Sequence, residues 1–120
     1  MLDANAFILL LTGHSTIVAR ISQCDDGDIA LSAISFGEVA LGSLRGRPPT
    51  PEIVDRVVSR FAILEFDEAA ARCYARMALR RASFDRLIGA HALAAGLTLV
   101  TANIGDFSDI SGLLVEDWTQ

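Results

Sequence analysis

Four carboxylates and one amide stand where chemistry would need them: Asp3, Glu38, Asp85, Asp106 and Asn103. Asp3 ends a short apolar start, and Glu38 lies within SAISFGEVALG. Asp85 opens the mostly apolar stretch SFDRLIGAHALAAGLTLVTANIGDF (83–107), and Asn103 and Asp106 close it. Carboxylates gathered within a few ångströms raise one another's pKa and cannot all stay ionised unaided. A cation relieves that repulsion, and hard oxygen donors with no His or Cys among them favour Mg²⁺ or Mn²⁺ over Zn²⁺. Such an ion could activate water and stabilise the charge that builds on a phosphodiester during hydrolysis.

Whether these residues meet depends on the elements that carry them. Hydrophobic patterning and punctuation predict a very short strand at Met1 to Asp3, helices around Ala6 to Leu11 and Thr16 to Gln23, and a strand from Ile29 to Ser32. A helix is expected from Ser35 to about Leu44, ended by the proline-rich loop GRPPTP from Gly46 to Pro51. A helix from Glu52 to Arg60 then leads to a strand from Ala62 to Phe66. Asp67 is placed to cap the next helix, which carries Ala69, Cys73, Met77 and Arg80 on one side. Ser83 is the candidate cap of a further helix ending at Gly96, a natural C′ residue. A buried strand from Leu97 to Thr101 and an edge strand from Leu113 to Glu116 complete the pattern.

Strands separated by helices imply a central, mainly parallel sheet with helices on both faces, a three-layer α/β/α domain spanning residues 1–120. In such a sheet the parallel strands end at one edge, where ligands bind. Asp3, the start of the helix bearing Glu38, and the turn holding Asn103 and Asp106 fall at that edge by topology alone. The two polar margins of 83–107 therefore meet there.

Each position also has a plainer role. Ser35 and Glu38 match the capping box S-x-x-E. Asp85 would lie near the favourable N-terminal dipole of its helix. Asn103 and Asp106 sit in a turn, where such residues are common, and Asp106 could cap a short helical turn. His91 and His14 read as structural or exposed. Arg76, Arg80, Arg81 and Arg86 cluster near Asp85; they form either a solvated face or a phosphate-binding patch.

Composition narrows the classes. With 120 residues and 52% hydrophobic content, the chain is long enough for one core and short for two typical domains. A net charge of −5 argues against bulk electrostatic coating of nucleic acid or membrane. All ten basic residues are arginine. That excludes the lysine of a phosphate-binding loop and Schiff-base chemistry. Cys24 and Cys73 match no metal-ligand spacing and read as free thiols of a reducing cytoplasm. The apolar run from Ala6 to Leu11 is preceded by Asp3 and is too short to span a bilayer, so neither signal peptide nor anchor is expected.

The motifs LDAN, SAISFGEVALG, FDRLIGAHALAAGLTLVTANIGDF and LLVEDW, in that order, resemble PIN-domain ribonucleases, in particular the VapC-type toxins of bacterial toxin–antitoxin pairs. The likeness covers nearly the whole chain. It implies an α/β/α PIN-like fold and an endoribonuclease dependent on Mg²⁺ or Mn²⁺ that cuts structured RNA such as tRNA or rRNA. It further implies a homodimer inhibited by a small VapB-type antitoxin. Carried over, the acids are Asp3, Glu38 and Asp85; the fourth polar position falls on Asn103 with Asp106 close behind, and Asn5 matches the Asn after the first acid. Arg80, Arg81 and Arg86 become the candidate RNA contacts. Ala4 stands where the family usually has Thr or Ser, which removes a small hydroxyl near the metal. The first strand and the segment before Asp85 are shorter than the family's usual pattern.

Two other classes compete. One is a binding or assembly module of the same fold, using apolar helix surface between Ala6 and Leu44 for a dimer or an antitoxin helix. The other, a phosphoacceptor domain, is disfavoured because such domains place a lysine opposite their acids.

Overall fold

The structure is a computed structural model and describes residues 1–77 and 83–120. Arg80 and Arg81, expected to contact RNA, lie outside the described residues, as does the Arg80 end of the predicted helix face.

The chain enters through the middle of the sheet. Leu2 bridges in parallel to Leu31 on one side and to Val100 on the other. Strand β1 (Ala30–Ser32) also pairs in parallel with β2 (Ala62–Leu64), and β3 (Leu99–Val100) with β4 (Val115–Glu116). The order across the sheet is thus β2, β1, the N-terminal segment, β3, β4, with every pairing among the described residues parallel. The backbone bonds fix this register: Leu2 N–H donates to Ala30 C=O at 3.0 Å, and Asp3 N–H donates to Val100 C=O at 3.0 Å. Parallel strands need crossover connections, and helices supply them.

Those helices are α1 (Ala4–Leu11), α2 (Ser15–Ser22), α3 (Ala33–Leu44), α4 (Pro51–Val58), α5 (Glu68–Arg76) and α6 (Phe84–Ala94). Alternation along the strands gives the sheet two apolar faces. Leu2, Leu31 and Val100 pack with Phe7, Ile17, Val39 and Val54 from α1 to α4. Met1 and Leu99 pack instead with Ile88 and Ala92 of α6 and with Phe107 and Ile110. Helices therefore cover both faces, as the expected three-layer α/β/α architecture requires. No single helix among the described residues is long and apolar enough to cross a membrane.

Most predicted boundaries hold to within a few residues, and the caps hold closely. Asp67 accepts the Ala70 N–H at 2.9 Å, Ser83 accepts the Arg86 N–H at 3.3 Å, and Gly96 adopts φ +68° after α6. The start of α3 is a correction. Because β1 runs straight into the helix, Ser32 is the cap, its hydroxyl accepting the Ile34 N–H at 3.1 Å. Ser35 and Glu38 therefore form no capping box. Ser35 is buried within the helix, and Glu38 lies in its second turn rather than its first.

Gly89 marks the tightest contact of α6. A Cβ built there would lie 2.5 Å from Ile110 Cδ1 and 3.4 Å from Phe107 Cδ1. Alanine would gain helix propensity but require Ile110 to rotate aside. Valine adds two further methyl groups to the same contact. Gly89→Val is expected to destabilise the fold by about 1–3 kcal/mol, seen as a lower urea midpoint at unchanged slope.

Candidate active site

The C-terminal edge of the sheet gathers the acids. Asp3 follows the central bridge and caps α1, its Oδ1 accepting the Ala6 N–H at 2.8 Å. It is 4% exposed, an expensive place for a charge. Burial pushes its pKa up, and the Asp85 and Asp106 charges push the same way; hydrogen bonds from the Thr101 hydroxyl and the Ala6 N–H oppose the rise. Glu38 is partly buried, and its pKa is raised by burial, then by Asp85 and Asp3. Asp85, exposed in the first turn of α6, has its pKa raised by desolvation from its surroundings and by Asp106. Four acids from four chain segments thus share one electrostatic environment, as the parallel topology requires.

Thr101 was not among the predicted site residues. It is 1% exposed, sits directly after β3 beside Asp3, and accepts the Asn103 N–H at 3.0 Å while its hydroxyl bonds Asp3. It supplies a hydroxyl to the acid whose own neighbour, Ala4, has none. The available signal was a threonine at the end of a buried strand two residues before a polar turn. Asn103 itself is exposed and precedes the 3-10 turn Ile104–Asp106. Asp106 belongs to that turn rather than capping it, and its charge reaches both Asp3 and Asp85. Asn5 is exposed in the first turn of α1.

The arginine expectation is altered by an ion pair. Arg86 bonds Asp109 through its guanidinium, which leaves the side chain only 12% exposed. A phosphate contact from Arg86 would have to exchange that carboxylate for the phosphate. Arg76 is exposed at the end of α5.

Among the described residues, no three His, Cys, Asp or Glu side chains form a ready-made ligand group for a metal ion. The donor chemistry nevertheless fits a hydrated Mg²⁺ or Mn²⁺, which is typically held by one or two carboxylates with water completing the shell. The mutually raised pKa values describe a surplus of negative charge that a cation would offset.

That surplus has a sign for stability. A carboxyl whose pKa is raised by folding contributes stability that is complete below its unfolded pKa of about 4 and is lost as pH rises through its folded value. Glu38→Gln should therefore raise the thermal midpoint of the metal-free chain at pH 7 and leave it nearly unchanged below pH 4. Thermal unfolding in EDTA at the two pH values measures the difference; a midpoint lowered at pH 7 would contradict this electrostatic account.

Comparisons with known proteins identify the family and the fold. The family model described as "PIN domain" matches residues 1–113. A tRNA(fMet)-specific endonuclease VapC of Shigella flexneri is 29% identical, with 99% of this chain and 97% of the relative covered. A chain of VapBC2 from Rickettsia felis, crystallised bound to a DNA fragment from their promoter, superposes with a TM-score of 0.84 at 26% identity, covering 98% of this chain and 97% of that one. A chain of VapBC-1 from nontypeable Haemophilus influenzae also gives 0.84 at 26% identity, covering 100% and 98%. With a family model matching nearly its full length and a parallel sheet gathering acids at one edge, the chain belongs to the PIN-domain family.

Proposed function

We propose that this chain is a VapC-type endoribonuclease toxin dependent on Mg²⁺ or Mn²⁺, cutting structured RNA such as tRNA or rRNA. The observation that carries the reading is the meeting of Asp3, Glu38, Asp85 and Asp106 at the sheet edge, where burial and mutual repulsion raise the pKa of the first three. These four carboxylates, with Asn103 as a neutral oxygen donor, would hold the ion directly or through water. When bound, the ion supplies an activated water and stabilises charge on the phosphodiester. The chain's own part is to hold Asp3 rigidly through Ala6 N–H and Thr101, and to set Glu38 and Asp85 opposite it. Arg76, Arg86 and the adjacent arginines would orient the RNA backbone.

The partners follow from the same reading: a VapB-type antitoxin and a second copy of the chain. The relatives solved as VapBC complexes support the first. A groove of about 350 Å³ between α1, α2 and α4, walled by Leu10, Leu11, Val18, Ile21, Val57 and Phe61, is an apolar face for an antitoxin helix. A partner-binding module without activity is the second reading, favoured by the lack of a preformed three-carboxylate group among the described residues.

Incubating the purified chain with mixed tRNA and rRNA, in Mg²⁺, Mn²⁺ or EDTA, tests the proposal. Discrete cuts that require the divalent ion are expected. Intact RNA from a folded chain that also binds no divalent ion would leave the binding module as the better account.

A further inference from the structure

His91 is the one imidazole in the core of α6, 3% exposed and nearly two turns beyond Asp85. Its Nδ1 lies 2.9 Å from Ser32 Oγ, and its ring packs edge-on against Phe66 with centroids 5.5 Å apart. It also bonds the backbone carbonyl of Glu65. Ser32 Oγ already accepts the Ile34 N–H, so its own proton is available to Nδ1. The tautomer that satisfies every partner carries its proton on Nε2 and gives it to Glu65. One buried neutral ring therefore joins three chain segments: the β1–α3 junction, the exit from β2, and α6.

Those segments matter because two of them carry the site. Ser32 begins α3, which bears Glu38, and His91 lies on α6, which bears Asp85. The two acids repel each other. Among the described residues, the hydrogen bond between His91 and Ser32 ties α6 directly to the start of α3. We infer that His91 is a positioning residue whose bond to Ser32 clamps α6 to the start of α3 and so sets the spacing of Asp85 from Glu38. The inference rests on the proposed role of those two acids. It assigns His91 no contact with substrate or metal.

Three substitutions separate clamping from mere core filling. Asn at position 91 can place its amide oxygen near the site of Nδ1 and keep the bond from Ser32. Gln can reach the Glu65 carbonyl but leaves Ser32 without its acceptor. Leu removes both bonds while keeping the site apolar. Mn²⁺ affinity, measured by titration of the full chain, is expected to fall about tenfold in His91→Leu and His91→Gln and to stay within about threefold of wild type in His91→Asn. Denaturant midpoints are recorded alongside, and the clamp predicts that affinity follows the Ser32 bond rather than stability. Unchanged affinity in His91→Leu, or affinity that tracks stability across all three, overturns it.

A metal-free readout keeps the inference distinct from the proposed function. Amide exchange at Ile34 should quicken about tenfold in His91→Leu and His91→Gln, the equivalent of one lost buried hydrogen bond, and less in His91→Asn. If wild type binds no Mn²⁺, the metal reading fails, and exchange at Ile34 decides the clamp. Ile34 exchange equal in all three variants overturns the clamp whatever the metal does.

Discussion

Asp3→Asn is expected to abolish RNA cleavage while leaving the chain folded and, without metal, more stable at neutral pH. The substitution retains the shape and the cap, since an Asn oxygen accepts the Ala6 N–H as Asp3 does and Asn is as good an N-cap as Asp. It removes only the charge. As the most buried of the four acids, Asp3 is the one whose loss should cost most under the proposed function: about 10²–10³-fold in rate or more, or roughly 3–4 kcal/mol of transition-state stabilisation. The stability change runs the other way. Folding raises the Asp3 pKa, so the wild-type chain loses stability as pH climbs through the folded value, and the Asn variant does not. Cleavage rate and metal-free thermal midpoint at pH 7, measured on one preparation, check both halves. Wild-type cutting by the variant would remove Asp3 from the chemistry, and a lowered midpoint would contradict the electrostatic account.

Leu2→Ala carries the largest expected effect on folding. Leu2 is fully buried and, among the described residues, is the one that bridges β1 and β3, so its side chain packs at the centre of the sheet against the α1 to α4 layer. Truncation leaves a cavity in a site that the bridging backbone prevents from collapsing. A loss of about 2–5 kcal/mol is expected, a large share of the 5–15 kcal/mol typical of a folded domain. Urea denaturation followed by circular dichroism measures it. A loss under about 1 kcal/mol would mean that the central segment contributes little to the sheet. Activity should fall with the folded fraction and also within it, because Asp3 hangs on the next residue.

These two positions also show how much the sequence reveals. The order of elements, the caps at Asp67 and Ser83, the glycine stop at Gly96 and the placing of the acids at one edge were all readable in advance. Each depends on groups within about four residues of one another, or on the rule that parallel strands end together. The resemblance through LDAN, SAISFGEVALG and the 83–107 stretch carried the family for the same reason: its motifs are local and their order is linear.

Where distant segments meet, local pattern was silent or misleading. The S-x-x-E match at Ser35 and Glu38 looked like a cap, but the direct run of β1 into α3 made Ser32 the cap and freed Glu38 for the site. Arg86 read as part of a solvated face or a phosphate-binding patch, and no local pattern signalled that packing brings Asp109, 23 residues away, against its guanidinium. The partners of His91 and Ser32 lie 59 residues apart, and Thr101 reaches Asp3 only because the chain's first residues lie between β1 and β3. Taken by itself, then, the sequence determined which elements form, which edge holds the acids and which family they resemble. The tertiary structure alone decided which buried polar groups pair, because a buried donor or acceptor takes whichever partner the packing of the whole sheet brings within reach.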